Sequence, residues 1–141
     1  MSKDITQIDS GQIHSGSCAC GKVRYKVKAP LNDAVACHCI ICRKTTGHYF
    51  ASIDVAPENF ELIDQQGLQW YESTAIAKRG FCKYCGGQLF FKPCDSDKIS
   101  VTAGTMDSPL GIAIKAHIYT DYKGDYYALQ DGKPQFKEDD H

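Results

Sequence analysis

At 141 residues, with 43% hydrophobic and 23% charged side chains, the chain has the composition of a single soluble domain long enough to bury a core. Its formal net charge of −1, from 16 basic and 17 acidic side chains, lacks the basic excess that non-specific nucleic-acid binding uses, so no nucleic-acid partner is expected. The opening MSKDITQIDS carries no apolar signal segment, and no apolar run approaches the roughly 20 residues that span a bilayer; a cytoplasmic protein with no membrane partner is the expectation.

Taken in chain order, residues 1–12 read as an N-terminal extension and 13–136 as one domain with no dividing linker. Lys22-Val23-Arg24-Tyr25-Lys26-Val27 alternates polar and apolar residues, the pattern of a half-buried strand. A short helix is expected from about Cys39 into Arg43 and Lys44. Residues 49–55 form the next strand, and Pro57-Glu58-Asn59-Phe60 suits a helical turn opened by proline. Further strands are expected over 69–73, 75–81, 88–91, 98–103 and 112–119, punctuated by Gly67, Gly86-Gly87, Pro93, Pro109 and Gly111. The acidic end, 137–141, reads as a frayed tail. Many short strands with regular turn residues define a mainly β fold with little helix.

Seven of the eight cysteines fall into three clusters: Cys18-Ala19-Cys20, Cys37-His38-Cys39-Ile40-Ile41-Cys42 and Cys82-Lys83-Tyr84-Cys85. In a reducing compartment such clusters favour metal over disulfides; in a secreted chain they would have to be read as bridges. The outer two clusters supply four thiols, a complete tetrahedral zinc set. Two thiolates on one zinc lie ~3.8 Å apart, whereas residues i and i+2 of a straight strand are separated by roughly 7 Å. A C-x-C pair therefore needs a bend, which Gly21 permits. Two unrelated redox or buried pairs are the plainer reading of the same residues.

The middle cluster supplies three thiols and leaves one coordination position to settle. His48 and His117 are candidates for it, as are water and a substrate thiolate; three thiolates on one metal would turn the ring of the adjacent His38 away. A site closed by histidine would be structural, and an open one could act on a small sulfur ligand. A third reading makes Cys39-Ile40-Ile41-Cys42 a redox dithiol, although such motifs belong to a βαβ setting not visible here. Arg43 and Lys44 could hold the carboxylates of a thiol ligand, or be a solvated turn. Tyr49, Phe50, Trp70 and Tyr71 could wall a pocket or belong to the core. Cys94 stands alone.

Three segments carry a family resemblance: 16–25 around Cys18 and Cys20, 37–47 around the middle cluster, and 79–90 around Cys82 and Cys85. Together they resemble the glutathione-dependent formaldehyde-activating enzyme (GFA) family, whose domain also occurs in a centromere protein. The weaker segments 101–107, 117–119 and 131–136 fit its C-terminal half. The resemblance implies a β-tent fold of short antiparallel strands. It implies a structural zinc on Cys18, Cys20, Cys82 and Cys85 and a second, catalytic zinc on Cys37, Cys39 and Cys42. It implies a carbon–sulfur lyase, with glutathione or another small thiol as co-substrate and formaldehyde or a related aldehyde as the carbon partner. Proton transfer would then fall to one of His38, His48 and His117. The alternative class is a non-catalytic, zinc-stabilised module that recognises a protein partner.

Overall fold

The computed structural model describes residues 12–139, so most of the expected N-terminal extension and the last two residues of the acidic tail lie outside the described residues. Three strands, β1 (Ile13–Ser17), β2 (Arg24–Lys28) and β5 (Phe60–Asp64), form an antiparallel sheet in the order β1-β2-β5. The second sheet has seven strands: β3 (Ala34–Cys37), β4 (Phe50–Val55), β6 (Leu68–Thr74), β7 (Ala77–Cys82), β8 (Gln88–Pro93), β9 (Ile99–Thr102) and β10 (Ile114–Ile118). Its order is β10-β3-β4-β9-β8-β7-β6, antiparallel throughout except where β10 runs parallel to β3. One α-helix, α1 (Ile40–Thr46), joins β3 to β4. The fold is mainly β, as the patterning indicates. None of the described helices is long and apolar enough to cross a membrane.

The seven expected strands all form, with their ends shifted by one or two residues. Residues Pro57–Asn59 make only a single 3-10 turn, after which Phe60 already belongs to β5. The sequence pattern did not reveal β1, β3 and β5. In β1 the inward positions are His14 and Gly16, while the apolar Ile13 is half exposed, so alternation has the wrong sign for a strand. In β3, Ala34-Val35-Ala36-Cys37 is short and built largely of alanine, a poor strand former in isolation. In β5 the adjacent Leu62 and Ile63 break the two-residue period.

The core lies between the sheets and joins Tyr25 and Val27 to Ile53, Val55, Phe90 and Val101. Tyr25, 1% exposed, stacks on Phe60 at 5.8 Å, meets Phe90 edge-on at 5.4 Å and shares a 2.7 Å hydrogen bond with the Thr105 hydroxyl. Each such buried ring contributes about 1.5–3 kcal/mol. Gly16 pairs with Tyr25 across β1–β2, and a Cβ there would sit 2.3 Å from the tyrosine ring, so no larger residue fits.

Cross-strand register divides the large sheet into two faces. Gly80, Phe90, Val101 and Ile53 stand opposite one another in one row; Phe90, Val101 and Ile53 belong to the core, and a Cβ on Gly80 would meet Phe90, Trp70 and Leu68. One residue along, Arg79 stands opposite Phe91, and Cys37 opposite Phe50, on the outer face. The two faces carry different cysteine groups.

Candidate metal centres

The four sulfurs of Cys18, Cys20, Cys82 and Cys85 all lie within 4.8 Å of one another. Cys18–Cys20 is 3.7 Å and Cys20–Cys82 is 3.6 Å, close to the spacing of two thiolates on one zinc. Two tight turns bring them there. Cys18 follows β1 and exchanges backbone hydrogen bonds with Val23 and Gly21, with Gly21 at φ 80°, the bend the C-x-C pair requires. Cys82 ends β7, accepts from the Gly86 N–H at 2.7 Å and donates to the Gly87 carbonyl at 2.9 Å, with Gly86 at φ 78°. The β5–β6 turn ties the two turns together: Gly67 N–H donates to Lys22 O, and its carbonyl accepts from Lys83 N–H. Backbone amides also serve the sulfurs. Val23 N–H donates to Cys18 Sγ at 3.3 Å, and the Gly87 N–H, followed by the Cys20 N–H, lowers the Cys85 thiol to about 6. Cys18 and Cys82 are buried and belong to the core; Cys20 and Cys85 are exposed.

The sulfurs of Cys37, Cys39 and Cys42 form a second group within 4.8 Å, and no fourth His, Cys, Asp or Glu of the described residues joins it. Cys37 ends β3. Cys39 caps α1 with its own side chain, Sγ accepting from Cys42 N–H at 3.3 Å. Cys42 lies in the first turn of the helix and is 3% exposed. Gly47, at φ 83°, closes the helix and donates to Arg43 O. Hydrogen bonds from the Cys37 and Cys42 thiols pull Cys39 far down toward thiolate, and hydrogen bonding with Cys39 and Cys42, then burial, pushes Cys37 up. Both sulfur-only donor sets suit zinc.

None of the three imidazoles named from the sequence joins this group. His38, fully buried, turns its ring away from the sulfurs: Nδ1 meets Tyr127 Oη at 2.5 Å and Nε2 meets His117 Nδ1 at 2.9 Å. His117 Nε2 reaches Asp131 Oδ2 at 2.8 Å. An ionised carboxylate only accepts, so with both rings neutral every donor has one assignment: Tyr127 O–H to His38, His38 Nε2–H to His117, His117 Nε2–H to Asp131. Burial first, then the neighbouring His117, lowers His38 to about 4, consistent with a neutral ring. This chain fastens the C-terminal segment to β3 and β10. His48 is exposed and meets Tyr126 Oη at 2.5 Å.

Arg43 donates to the Tyr122 carbonyl at 3.0 Å, which ties α1 to the same C-terminal segment, and Lys44 is exposed. Tyr49 packs against His38, His48 and Tyr127. Phe50 is buried. Trp70 packs on the core and also borders a cleft, and Tyr71 borders the same cleft while half exposed. Cys94 is exposed and belongs to neither sulfur group.

Two residues near the three-cysteine group were not singled out from the sequence. Tyr119 follows β10, one residue past the Ile118–Cys37 pair, and is the one non-glycine described residue with positive φ, at 55°. Burial first, with Asp139, Cys37 and Cys39 also contributing, raises its hydroxyl pKa. Arg79, 5% exposed, donates from Nη2 to Cys42 Sγ at 3.5 Å. Little in the sequence signals it, because Arg79 falls on the outer face of β7, where a charged side chain is ordinary.

A small β domain with one sulfur group of four at the seam of its sheets and one of three on its outer face has two cysteine clusters that could each hold a metal ion. Residues 13–122 match the family described as glutathione-dependent formaldehyde-activating enzyme, and the chain belongs to that family. A curated relative from Halomonas elongata, provisionally named a glutathione-dependent formaldehyde-activating enzyme, is 28% identical over 125 residues, covering 82% of this chain and 80% of that protein. An uncharacterized lyase of Schizosaccharomyces pombe is 23% identical over 128 residues, covering 90% and 93%. A crystal structure of a Rhodobacter sphaeroides protein shares the fold, with a TM-score of 0.58 at 23% identity, over 71% of this chain and 98% of that one.

Proposed function

We propose that this protein is a zinc-dependent carbon–sulfur lyase-like enzyme acting on the adduct of glutathione, or another small thiol, with formaldehyde or a related aldehyde. One observation carries the reading: three sulfurs gather with no fourth His, Cys, Asp or Glu donor from the described residues, while the other group has four. Family membership and the relatives' names support formaldehyde-activating, lyase-like chemistry. Cys18, Cys20, Cys82 and Cys85 would hold a structural zinc, and Cys37, Cys39 and Cys42 a second zinc. When bound, that second ion supplies Lewis acidity and lowers the pKa of a sulfur beside it.

The chain's own groups prepare the site. Cys42 N–H on Cys39 Sγ and Arg79 Nη2–H on Cys42 Sγ favour anionic sulfur. Helix α1 and its caps fix the spacing of Cys39 and Cys42. In the forward direction the thiol sulfur bonds to the aldehyde carbon, the carbonyl π pair moves to oxygen, and the thiol proton ends on that oxygen. The reverse breaks the C–S bond and returns thiol and aldehyde. An open position also separates this reading from a non-catalytic module, whose second site would be closed by a protein ligand.

The test is exchange NMR on carbon-13 formaldehyde and glutathione with zinc-loaded protein. Exchange between hydrate and adduct should exceed the spontaneous rate and return to it in Cys39→Ser. If two zincs bind and no small thiol shows acceleration, the protein-recognition module replaces this reading.

A further inference from the structure

Arg79 is buried without an anionic side chain to pair with it. No carboxylate of the described residues forms an ion pair with its guanidinium, and Asp131 meets the neutral His117 elsewhere in the fold. A guanidinium taken out of water at 5% exposure costs several kcal/mol unless its donors are met. One is met, by Cys42 Sγ. The N–H groups at Nε and Nη1, on either side of that donor, have no protein partner, and neither has Gln88 Nε2. These are the buried, unpartnered side-chain nitrogens of the described residues, and both side chains line one cleft of about 390 Å³. Phe91 at 5.0 Å and Phe50 at 5.8 Å pack the guanidinium in place. Tyr71, which stands opposite Arg79 across β6 and β7, lines the same cleft.

We propose that Arg79 and Gln88 form a subsite for the carboxylate of the thiol co-substrate, placed so that the same ligand's sulfur reaches the three-cysteine group. The proposal rests on the thiol reading above and names the chemistry that the thiol must carry. A carboxylate laid along one edge of the guanidinium accepts charge-assisted hydrogen bonds from Nη2 and one orphan nitrogen, and a further one from the Gln88 amide, which meets two of the three orphan groups and leaves the last N–H to water in the cleft. A single buried cation matches a single carboxylate rather than a phosphate dianion. Because Arg79 also touches Cys42, one side chain links the ligand's charged end to the reacting end. The role given from sequence to Arg43 and Lys44 passes to Arg79: Arg43 is tied to a backbone carbonyl and Lys44 is exposed.

Binding is read by isothermal titration calorimetry. The zinc-loaded protein is titrated with 3-mercaptopropionate and with 3-mercaptopropionamide, which differ only in the carboxylate. The acid should bind at least about tenfold tighter, roughly 1.4 kcal/mol. Arg79→Gln should erase that preference while two zincs remain bound. Should Arg79→Gln fail to fold or lose metal, Arg79→Lys and Gln88→Met decide. Each should cut the acid's affinity several-fold and leave the amide's within about twofold. Equal binding of acid and amide by the unaltered protein, or a preference unchanged in these variants, overturns the subsite. Preference without catalysed exchange would leave the subsite standing and remove the enzyme reading; exchange without preference would do the opposite.

Discussion

The two sulfur groups use the same atom to different ends, and their surroundings explain why. The four-cysteine group sits at the seam between the sheets, where Cys18 and Cys82 are part of the core. Its sulfurs come from two turns far apart in sequence, so whatever joins them also joins the opening of the fold to its middle. The three-cysteine group comes from six consecutive residues on one strand end and one helix, and it sits on the outer face beside a cleft. Removing the first should cost the fold. Removing the second should cost chemistry. A group that closes a long loop stabilises by restricting the unfolded chain, and a local group has little of that to give.

The largest effect that would test this contrast is Cys82→Ser. Structural zinc is worth about 10 kcal/mol or more, comparable with the whole stability of a small domain. The variant should lose metal at the first group and its cooperative thermal transition; circular dichroism and metal analysis measure both. A variant that melts within a few degrees of the unaltered protein would erase the distinction. Next comes Cys39→Ser, which should keep the transition within about 5 °C, bind one zinc instead of two, and show no catalysed thiol–aldehyde exchange.

Gly67→Ala is the subtler probe of the seam. A Cβ at this position would stand 2.8 Å from Cys82 Sγ, and the buried sulfur cannot move aside freely. We expect about 1–3 kcal/mol of destabilisation in urea titrations, with zinc at the first group exchanging faster and the second group unaffected. Equal loosening of both groups would mean that they are one cooperative unit.

The smallest expected effect is Asp131→Asn. The His117 hydrogen bond, first among its causes, holds the Asp131 carboxyl below the usual carboxylate value. A depressed folded-state pKa adds stability above the unfolded value, and that stability is lost as pH falls through the folded one. The variant should therefore differ slightly from the unaltered protein at pH 7, and the difference should vanish at acid pH. Because Asp131 is exposed, the shift is measured best by denaturant midpoints at several pH values. A difference that persists into acid would place the loss in packing rather than charge.

Much of the site was legible because metal-ligand spacing is local. Cys39 and Cys42 fall on one helical turn, and Gly21 and Gly86 permit the bends that C-x-C and C-x-x-C pairs require. The count of four against three sulfurs was likewise legible before any coordinates. Strands β1, β3 and β5 were not: the inward positions of β1 and β3 hold histidine, glycine and alanine, which carry little hydrophobic signal, and in β5 the adjacent Leu62 and Ile63 break the alternation. His38 and His117 were visible as imidazoles. Their partners were not: Tyr127 and Asp131 come from a C-terminal segment whose return beside β10 is a long-range event.

The chain's own order of residues determined a mainly β domain with two unequal sulfur groups, because alternation and ligand spacing act over a few residues. Folding alone decided which partners His38 and His117 meet and that Arg79 is buried against Cys42, Phe50 and Phe91. Those relations join residues tens of positions apart, and a guanidinium's cost or use depends on what surrounds it, which no local pattern contains.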